Sequence, residues 1–419
     1  MPPTAWIPPV VRLADWLGAG RWGRLAGLIL GCALAGRAGA AEIPTTADKI
    51  YSTEIHGRTY ALLVPKGIAA VRGLIFYGPG VNGDSRSALG DAGYVAKSRI
   101  LGYPVLTYDH GAGVVPAEAN AAISNLAAQC GLAMDATTPV YAQGFSNGGG
   151  NAWAWPKSSP GRTLAYFVNK GVSAAGPLPE AALGIPGLNV FGDEESAARQ
   201  AGQQRLFSNQ RARGALLALV IEPGAGHGEY AEYVRLGDPF LWLLHSARNP
   251  DGKTPLVPVA EAAGWLADPD TRHEPMMRVY AYADYPPDKD KRQANWLYNR
   301  DLAYTYAAFC TFDKKVTLDA RPAQMLYRDS DFRHMDLPAT LNRAGDRVEF
   351  QVGVEPAVGE LGGIEFYEYS RKLGDLPPSG SRTFAVERMT PGIHNYLALV
   401  RNRAGVTYIS NSWTVYTEP

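Results

Sequence analysis

The sequence predicts two architectures in series, a mostly parallel α/β sheet with helices on both faces and then a C-terminal all-β sandwich. Two patterns carry this reading. From about residue 50 to 230, short apolar runs alternate with helical stretches, as a parallel sheet buried on both faces requires. From about residue 315 onward the periodicity changes to two, with turn residues at even spacing. A third observation concerns the start of the chain, where arginines, a short apolar stretch and small residues follow one another as in a targeting leader.

In that leader, Arg12, Arg21 and Arg24 form the positive region, Leu25 to Ala35 the apolar one, and Ala38-Gly39-Ala40 the small residues at a cleavage position. Residues 1–40 are therefore expected to be a signal peptide, cut after Ala40 or Ala41, and the mature chain to be exported, periplasmic or extracellular. Two other readings stay open. One is an uncleaved anchor; the other is a lipoprotein, since Ile29-Leu30-Gly31-Cys32 loosely resembles a lipobox and lipidation at Cys32 would bring a membrane partner. The 419-residue chain is 46% hydrophobic and 19% charged with zero formal net charge, so no basic surface argues for nucleic acid. Past the leader only Cys130 and Cys310 remain, either one disulfide or two buried thiols. Neither Cys-x-x-Cys nor His-Glu-x-x-His occurs, so no metal or other cofactor is expected.

Within the first region, Arg58 to Val64, Gly73 to Tyr77, Pro104 to Tyr108, Pro139 to Gln143, Leu164 to Val168, Leu188 to Phe191 and Leu216 to Ile221 read as strands. Ala117 to Ala128 and Tyr230 to His245 read as helices, the second closing a catalytic-type domain of residues 45–248. Residues 249–314 carry proline and charge clusters and then an aromatic, helical run, Trp296 to Phe309; an extension packed on the first domain is expected. Residues 315–419 supply the strands Val348 to Val352, Ile364 to Tyr367, Thr383 to Val386, Tyr396 to Val400 and Trp413 to Tyr416. Turn signals at Ala344-Gly345-Asp346, Pro377-Pro378-Ser379-Gly380, Pro391-Gly392 and Arg403-Ala404-Gly405 separate them.

Gly144-Phe145-Ser146-Asn147-Gly148 lies between the strand ending at Gln143 and a small-residue helix start. Strand, G-x-S-x-G and helix make a nucleophile elbow, with glycines where a Cβ would strike the neighbouring strand or helix. A serine hydroxyl needs a base, and the base an orienting acid. His227 follows the strand Leu219-Val220-Ile221 on a glycine-rich loop and is the candidate base. After Leu188 to Phe191 and Gly192 come Asp193, Glu194 and Glu195; Glu195 is the favoured acid and Asp193 the alternative. Asn147 N–H, at the positive end of the helix, is one candidate oxyanion donor. The second comes from Tyr77-Gly78-Pro79-Gly80-Val81: Pro79 has no N–H, leaving Gly80 or Val81, with Val81 favoured. Trp153, Trp155 and Tyr77 near the elbow are read as pocket lining or as core.

The order Ser146, Glu195 or Asp193, His227 resembles that of the α/β-hydrolase superfamily over roughly residues 50–245. Gly144-Phe145-Ser146-Asn147-Gly148-Gly149 is most similar to its polyhydroxybutyrate depolymerase and feruloyl esterase branch. The resemblance implies an α/β-hydrolase fold with Ser146 as nucleophile, His227 as base, and ester hydrolysis through an acyl-enzyme. Two departures bear on the substrate: Gly228-Glu229-Tyr230 stands where that branch has a tryptophan after the histidine, and the acid is a glutamate if Glu195. The C-terminal region resembles bacterial Ig-like modules of secreted enzymes at Gly345-Asp346-Arg347-Val348, Ile364-Glu365-Phe366-Tyr367, Leu373-Gly374, Pro391-Gly392-Ile393-His394, Gly405 and Ser410. Export with such a module suits an ester substrate that is polymeric, an acylated polysaccharide or a polyester. A serine peptidase on the same fold and an inactive binding protein are the alternatives.

Overall fold

The computed structural model describes residues 48–68, 70–81, 83–110, 113, 116–171, 176–228, 233–327 and 338–419. The expected leader, residues 1–40, lies outside them. Residues 40–419 form one compact unit.

In chain order the first part consists of β1 (Lys49–Ile55), β2 (Arg58–Val64), β3 (Leu74–Gly78), α1 (Ala92–Leu101), β4 (Val105–Tyr108), α2 (Pro116–Cys130), β5 (Val140–Phe145), α3 (Asn147–Ser158), β6 (Thr163–Asn169), β7 (Gly187–Gly192), α4 (Ala197–Ala212), β8 (Leu217–Glu222) and α5 (Asp238–Arg248). The strands form one sheet in the order β1-β2-β4-β3-β5-β6-β7-β8. β2 runs antiparallel to β1 and β4; β4, β3, β5, β6, β7 and β8 are mutually parallel. This is the α/β-hydrolase arrangement. β3 to β7 are buried at every position, which is why they read as mostly apolar runs. Alternate residues serve two cores. Ile75, Val105, Tyr141, Phe167 and Val190 meet α1 and α5 on one face, while Phe76, Leu106, Ala142 and Tyr166 meet α2, α3 and α4 on the other. Trp153, Trp155 and Tyr77, of the two sequence readings, belong to these cores: Trp153 and Trp155 are each 1% exposed and Tyr77 5%. Parallel pairing brings the carboxyl ends of β3, β5, β6, β7 and β8 to one edge, where loops assemble a site.

Residues 249–314 form β9 (Trp265–Ala267), β10 (Val279–Ala281), β11 (Asn295–Leu297) and α6 (Arg300–Cys310), with the strands ordered β10-β9-β11. They pack along β8, the last strand of the large sheet. Leu219 N–H donates to Asn295 Oδ1 (2.7 Å), and Tyr306 OH donates to Leu219 O (2.5 Å). At Leu219 the edge strand thus has its outward N–H and C=O both satisfied. The aromatic run is not one helix: Trp296 sits in β11, and α6 begins only after Asn299, whose side chain caps it by accepting Leu302 N–H (2.9 Å). Of the helix expected over Tyr230 to His245, residues 230–232 lie outside the described residues; Tyr233–Gly237 forms a π-helical turn that leads directly into α5, which starts at Asp238 with Pro239 in its first turn.

The C-terminal region consists of β12 (Val316–Arg321), β13 (Gln324–Met325), β14 (Pro338–Arg343), β15 (Val348–Val354), β16 (Leu361–Glu368), β17 (Arg371–Leu376), β18 (Thr383–Val386), β19 (Gly392–Asn402), β20 (Thr407–Ile409) and β21 (Trp413–Glu418). Two sheets, β12-β15-β18 and β13-β14-β21-β19-β16-β17, sandwich Leu318, Phe350, Phe366, Tyr396 and Val415, and β20 pairs with β19. Strict alternation of buried and exposed residues in β12 and the first part of β15 accounts for the period-two signal. The sandwich shares a core with the first part: Ile393, Leu397 and Tyr416 join the cluster that holds α1 and α5. Cys130 and Cys310 are both buried and unbonded, so of the two sequence readings the structure has free thiols.

Candidate active site

Ser146 sits between β5 and α3 with φ 52° and ψ −115°, a conformation that L-residues adopt at a cost of about 1–3 kcal/mol and that points the side chain out of the sheet edge. Its N–H is anchored to Asn169 O (2.9 Å), and its own carbonyl accepts Gly149 N–H (3.0 Å). The close approach explains Gly148: a Cβ there would lie 2.1 Å from Gly78 O and 2.5 Å from Pro79 O. The same contact seats the loop after β3 beside the start of α3. Val81 lies in the turn closed by Gly83 N–H donating to Gly80 O (3.1 Å) and is 58% exposed. Asn147 N–H belongs to the first turn of α3 and has no acceptor within the helix.

His227 Nε2 is 3.1 Å from Ser146 Oγ, and His227 Nδ1 is 2.5 Å from Glu195 Oε1. The structure therefore brings Ser146, His227 and Glu195 together. Asp193 is turned elsewhere, its Oδ1 accepting Ala225 N–H (3.2 Å), and Glu194 is exposed. The His227 ring packs on Phe145 with centroids 5.2 Å apart. The acid and histidine loops are sewn to each other: Asp193 N–H donates to Glu222 O (3.1 Å) and Glu194 N–H to Ala225 O (3.0 Å). Gly192 is the residue that permits this, since a Cβ would fall 1.9 Å from Ala225 O. Gln200, on α4, clamps the acid loop by donating to Asp193 O (2.7 Å) and Glu195 O (2.8 Å). Beneath lies a buried ion pair, Lys170 Nζ with Glu222 Oε2 (2.9 Å).

The Glu195 side chain is wholly buried whereas that of His227 is 37% exposed. Burial pushes the Glu195 carboxyl up, but the hydrogen bond from His227, the charge of that ring and Arg199 together outweigh it, so the carboxyl is held below its ordinary value. Arg199, one turn along from Glu195, donates from Nε to Glu195 Oε1 (3.0 Å) and from Nη2 to Lys170 O (3.2 Å); Nη2 is also 3.3 Å from His227 Nε2. Neither Arg199 nor Gln200 figures in the sequence reading. The signal that was there is Glu195-x-x-x-Arg199, an i,i+4 pair opening a helix. No group of three or more His, Cys, Asp or Glu side chains suited to a metal occurs among the described residues. A surface concavity of about 800 Å³ between α4 and the 249–314 segment, lined by Asp268, Asp270, Asp288 and Lys289 among others, contains no histidine and is not this site.

Several solved structures resemble parts of the chain at low similarity. A protein of Thermoplasma acidophilum described as a predicted CIB-like hydrolase is 16% identical, with 43% of this chain and 89% of that one covered and a TM-score of 0.30. The S-formylglutathione hydrolase of Agrobacterium tumefaciens is 15% identical, with 43% and 88% covered and a TM-score of 0.32. Fibronectin(III)-like modules of CbhA from Clostridium thermocellum are 17% identical, with 24% and 93% covered and a TM-score of 0.19. No protein-family model matches the chain, and no curated protein matches it by sequence. The strand order and the geometry of the serine, histidine and glutamate stand independently of these similarities.

Proposed function

We propose that this chain is a serine hydrolase that cleaves carboxylic esters through an acyl-enzyme on Ser146. The observation that carries the reading is the contact series Ser146 Oγ, His227 Nε2, His227 Nδ1, Glu195 Oε1, with spacings of 3.1 and 2.5 Å, built on an elbow serine at φ 52°. In the proposed reaction His227 Nε2 takes the Ser146 proton as Oγ attacks the ester carbonyl carbon. Oxyanion charge is met by Asn147 N–H and by the Val81 loop, each donor contributing about 3 kcal/mol. Nε2 then returns the proton to the departing alcohol, and a water activated by the same nitrogen releases the acid. Glu195 holds the Nδ1–H tautomer throughout and offsets the imidazolium charge.

Export is part of the proposal, resting on the residue 1–40 leader pattern. So is a polymeric ester, an acylated polysaccharide or polyester, as substrate, which follows from export and the resemblance to the depolymerase and feruloyl esterase branch. The test is a panel of p-nitrophenyl acetate and butyrate, methyl ferulate, acetylated xylan and a short polyhydroxyalkanoate, assayed with purified mature protein and its Ser146→Ala variant. Turnover that disappears in a folded Ser146→Ala protein is the expected result. Turnover that survives the substitution excludes the mechanism.

A further inference from the structure

Arg199 has no part in the scheme above, yet it touches two members of the triad. Its five N–H groups are only partly used: Nε donates to Glu195 Oε1, and Nη2 is shared between Lys170 O and the edge of His227 at Nε2. Nη1 has no partner among the described residues, and the side chain is 41% exposed. A guanidinium planted on a rigid helix, held by three of the site's own atoms and open on one edge, is a preformed receptor for a planar anion.

Its position tells which part of a substrate it would meet. His227 Nε2 carries the proton from Ser146 to the leaving oxygen, so that oxygen must come beside Nε2 during turnover. Arg199 Nη2 is 3.3 Å from the same nitrogen, which places the open edge on the alcohol side of the ester. The charge balance points the same way. When Nε2 is protonated the imidazolium faces the guanidinium, an unfavourable contact that Glu195 alone must offset while also pairing with both cations through one oxygen, Oε1. A carboxylate seated on the fork of Nη1 and Nη2 supplies the missing negative charge and draws Nη2 off Nε2, leaving that nitrogen to Ser146 and the leaving oxygen.

We propose that Arg199 is a specificity-determining residue that selects esters whose alcohol half carries a carboxylate. This rests on the serine esterase reading and adds the chemistry of the leaving group to it. A purely supporting role for Arg199, steadying Glu195, would affect charged and neutral leaving groups alike.

The experiment compares 3-acetoxybenzoate with 3-acetoxybenzamide, which share the acetyl group and ring and differ by one charge. Acetate release by the mature protein is measured beside p-nitrophenyl acetate, for wild type, Arg199→Gln and Arg199→Lys, with active serine counted by a fluorophosphonate probe. Dividing the wild-type ratio of kcat/KM by that of the variant cancels the intrinsic reactivity of the two esters. The wild type is expected to favour the benzoate by about 10-fold or more, Arg199→Gln to bring the ratio to within about threefold, and Arg199→Lys, keeping charge without the fork, to fall between. A wild-type ratio within about threefold, or one unchanged by Arg199→Gln, overturns the proposal. Serine-dependent hydrolysis of p-nitrophenyl acetate with no turnover of either acetoxy compound overturns it alone. Absence of serine-dependent turnover of all three overturns the esterase reading and this proposal together.

Discussion

Glu195→Gln separates charge from geometry at the triad. Glu195 Oε1 accepts two hydrogen bonds, from His227 Nδ1–H (2.5 Å) and Arg199 Nε–H (3.0 Å), while Oε2 is buried without a hydrogen-bond partner among the described residues. Both donors require an acceptor at the Oε1 position, so the glutamine carbonyl goes there and its NH2 goes to the empty side. The imidazole tautomer is kept, and what disappears is the negative charge opposite the imidazolium. At about 4 Å and an effective dielectric of about 20 that attraction is worth about 4 kcal/mol. The neutral hydrogen bond that remains returns about 1 kcal/mol, leaving a loss of about 3 kcal/mol, or roughly 10²-fold in kcat/KM. Glu195→Ala also frees the ring and is expected to cost more, about 10⁴-fold. Asp193→Asn keeps an acceptor for Ala225 N–H and is expected to stay within about threefold of wild type. Steady-state hydrolysis of p-nitrophenyl acetate, normalised to titrated serine, reads all three. Glu195→Gln within about threefold of wild type, or Asp193→Asn as damaging as Glu195→Gln, refutes the assignment of the acid.

Two further outcomes follow from the structure. Because the Glu195 carboxyl is held below its ordinary value in the folded protein, the stability it contributes is full above the unfolded value of about 4.3 and is lost as pH falls through the lower folded value; the difference in urea midpoint between wild type and Glu195→Gln should therefore shrink below about pH 4. Cys130 and Cys310 are buried and free, so both should be alkylated in guanidinium without reductant and neither in the native state, as mass spectrometry would show.

Ser146, Glu195 and His227 are legible because each follows a short, mostly apolar strand: Val140–Phe145, Gly187–Gly192 and Leu217–Glu222 are nearly all buried, with Gln143, Asn189 and Glu222 as their polar members. Arg199 and Gln200 are not, since α4 reads Ala-Ala-Arg-Gln-Ala-Gly-Gln-Gln-Arg, with its large apolar residues confined to Leu206 and Phe207 further on. Such a stretch shows no helical stripe, and its charges look like a solvated turn. Trp296 to Phe309 misleads for the opposite reason: β11 and α6 are both largely buried and aromatic, so a strand and a helix either side of Asn299-Arg300-Asp301 read as one aromatic stretch. The contacts that join the two parts of the chain are beyond any window: Asp238, which pairs with Lys97 141 positions away within the first part, meets Tyr416 of the sandwich across 178.

The Asp238 contacts tie the sandwich to the first part of the chain. Lys97 and Asp238 are wholly buried and paired at 2.9 Å. Asp238 Oδ2 accepts the hydroxyls of Tyr327 and of Tyr416 in β21, and the Lys97 ammonium lies 3.9 Å from the centroid of the Tyr94 ring. Tyr94 OH in turn accepts from Gln143 Nε2 (2.9 Å), in the strand that leads into Ser146. A sandwich that merely reached out to a polymer would unfold on its own and leave turnover intact. Here Asp238→Asn has one carbonyl oxygen for an ammonium and two hydroxyls, strands a buried cation, and should cost about 3–5 kcal/mol. Tyr416→Phe, made entirely on the sandwich side, removes one donor and should cost about 1–2 kcal/mol. Urea titrations followed by tryptophan fluorescence and by Ser146-dependent turnover should then show one coincident transition, displaced to lower urea by either substitution. Two separated transitions, or a Tyr416→Phe protein whose activity is lost at the wild-type midpoint, would instead make the sandwich a detachable module, and the search for its role would move to its outer surface.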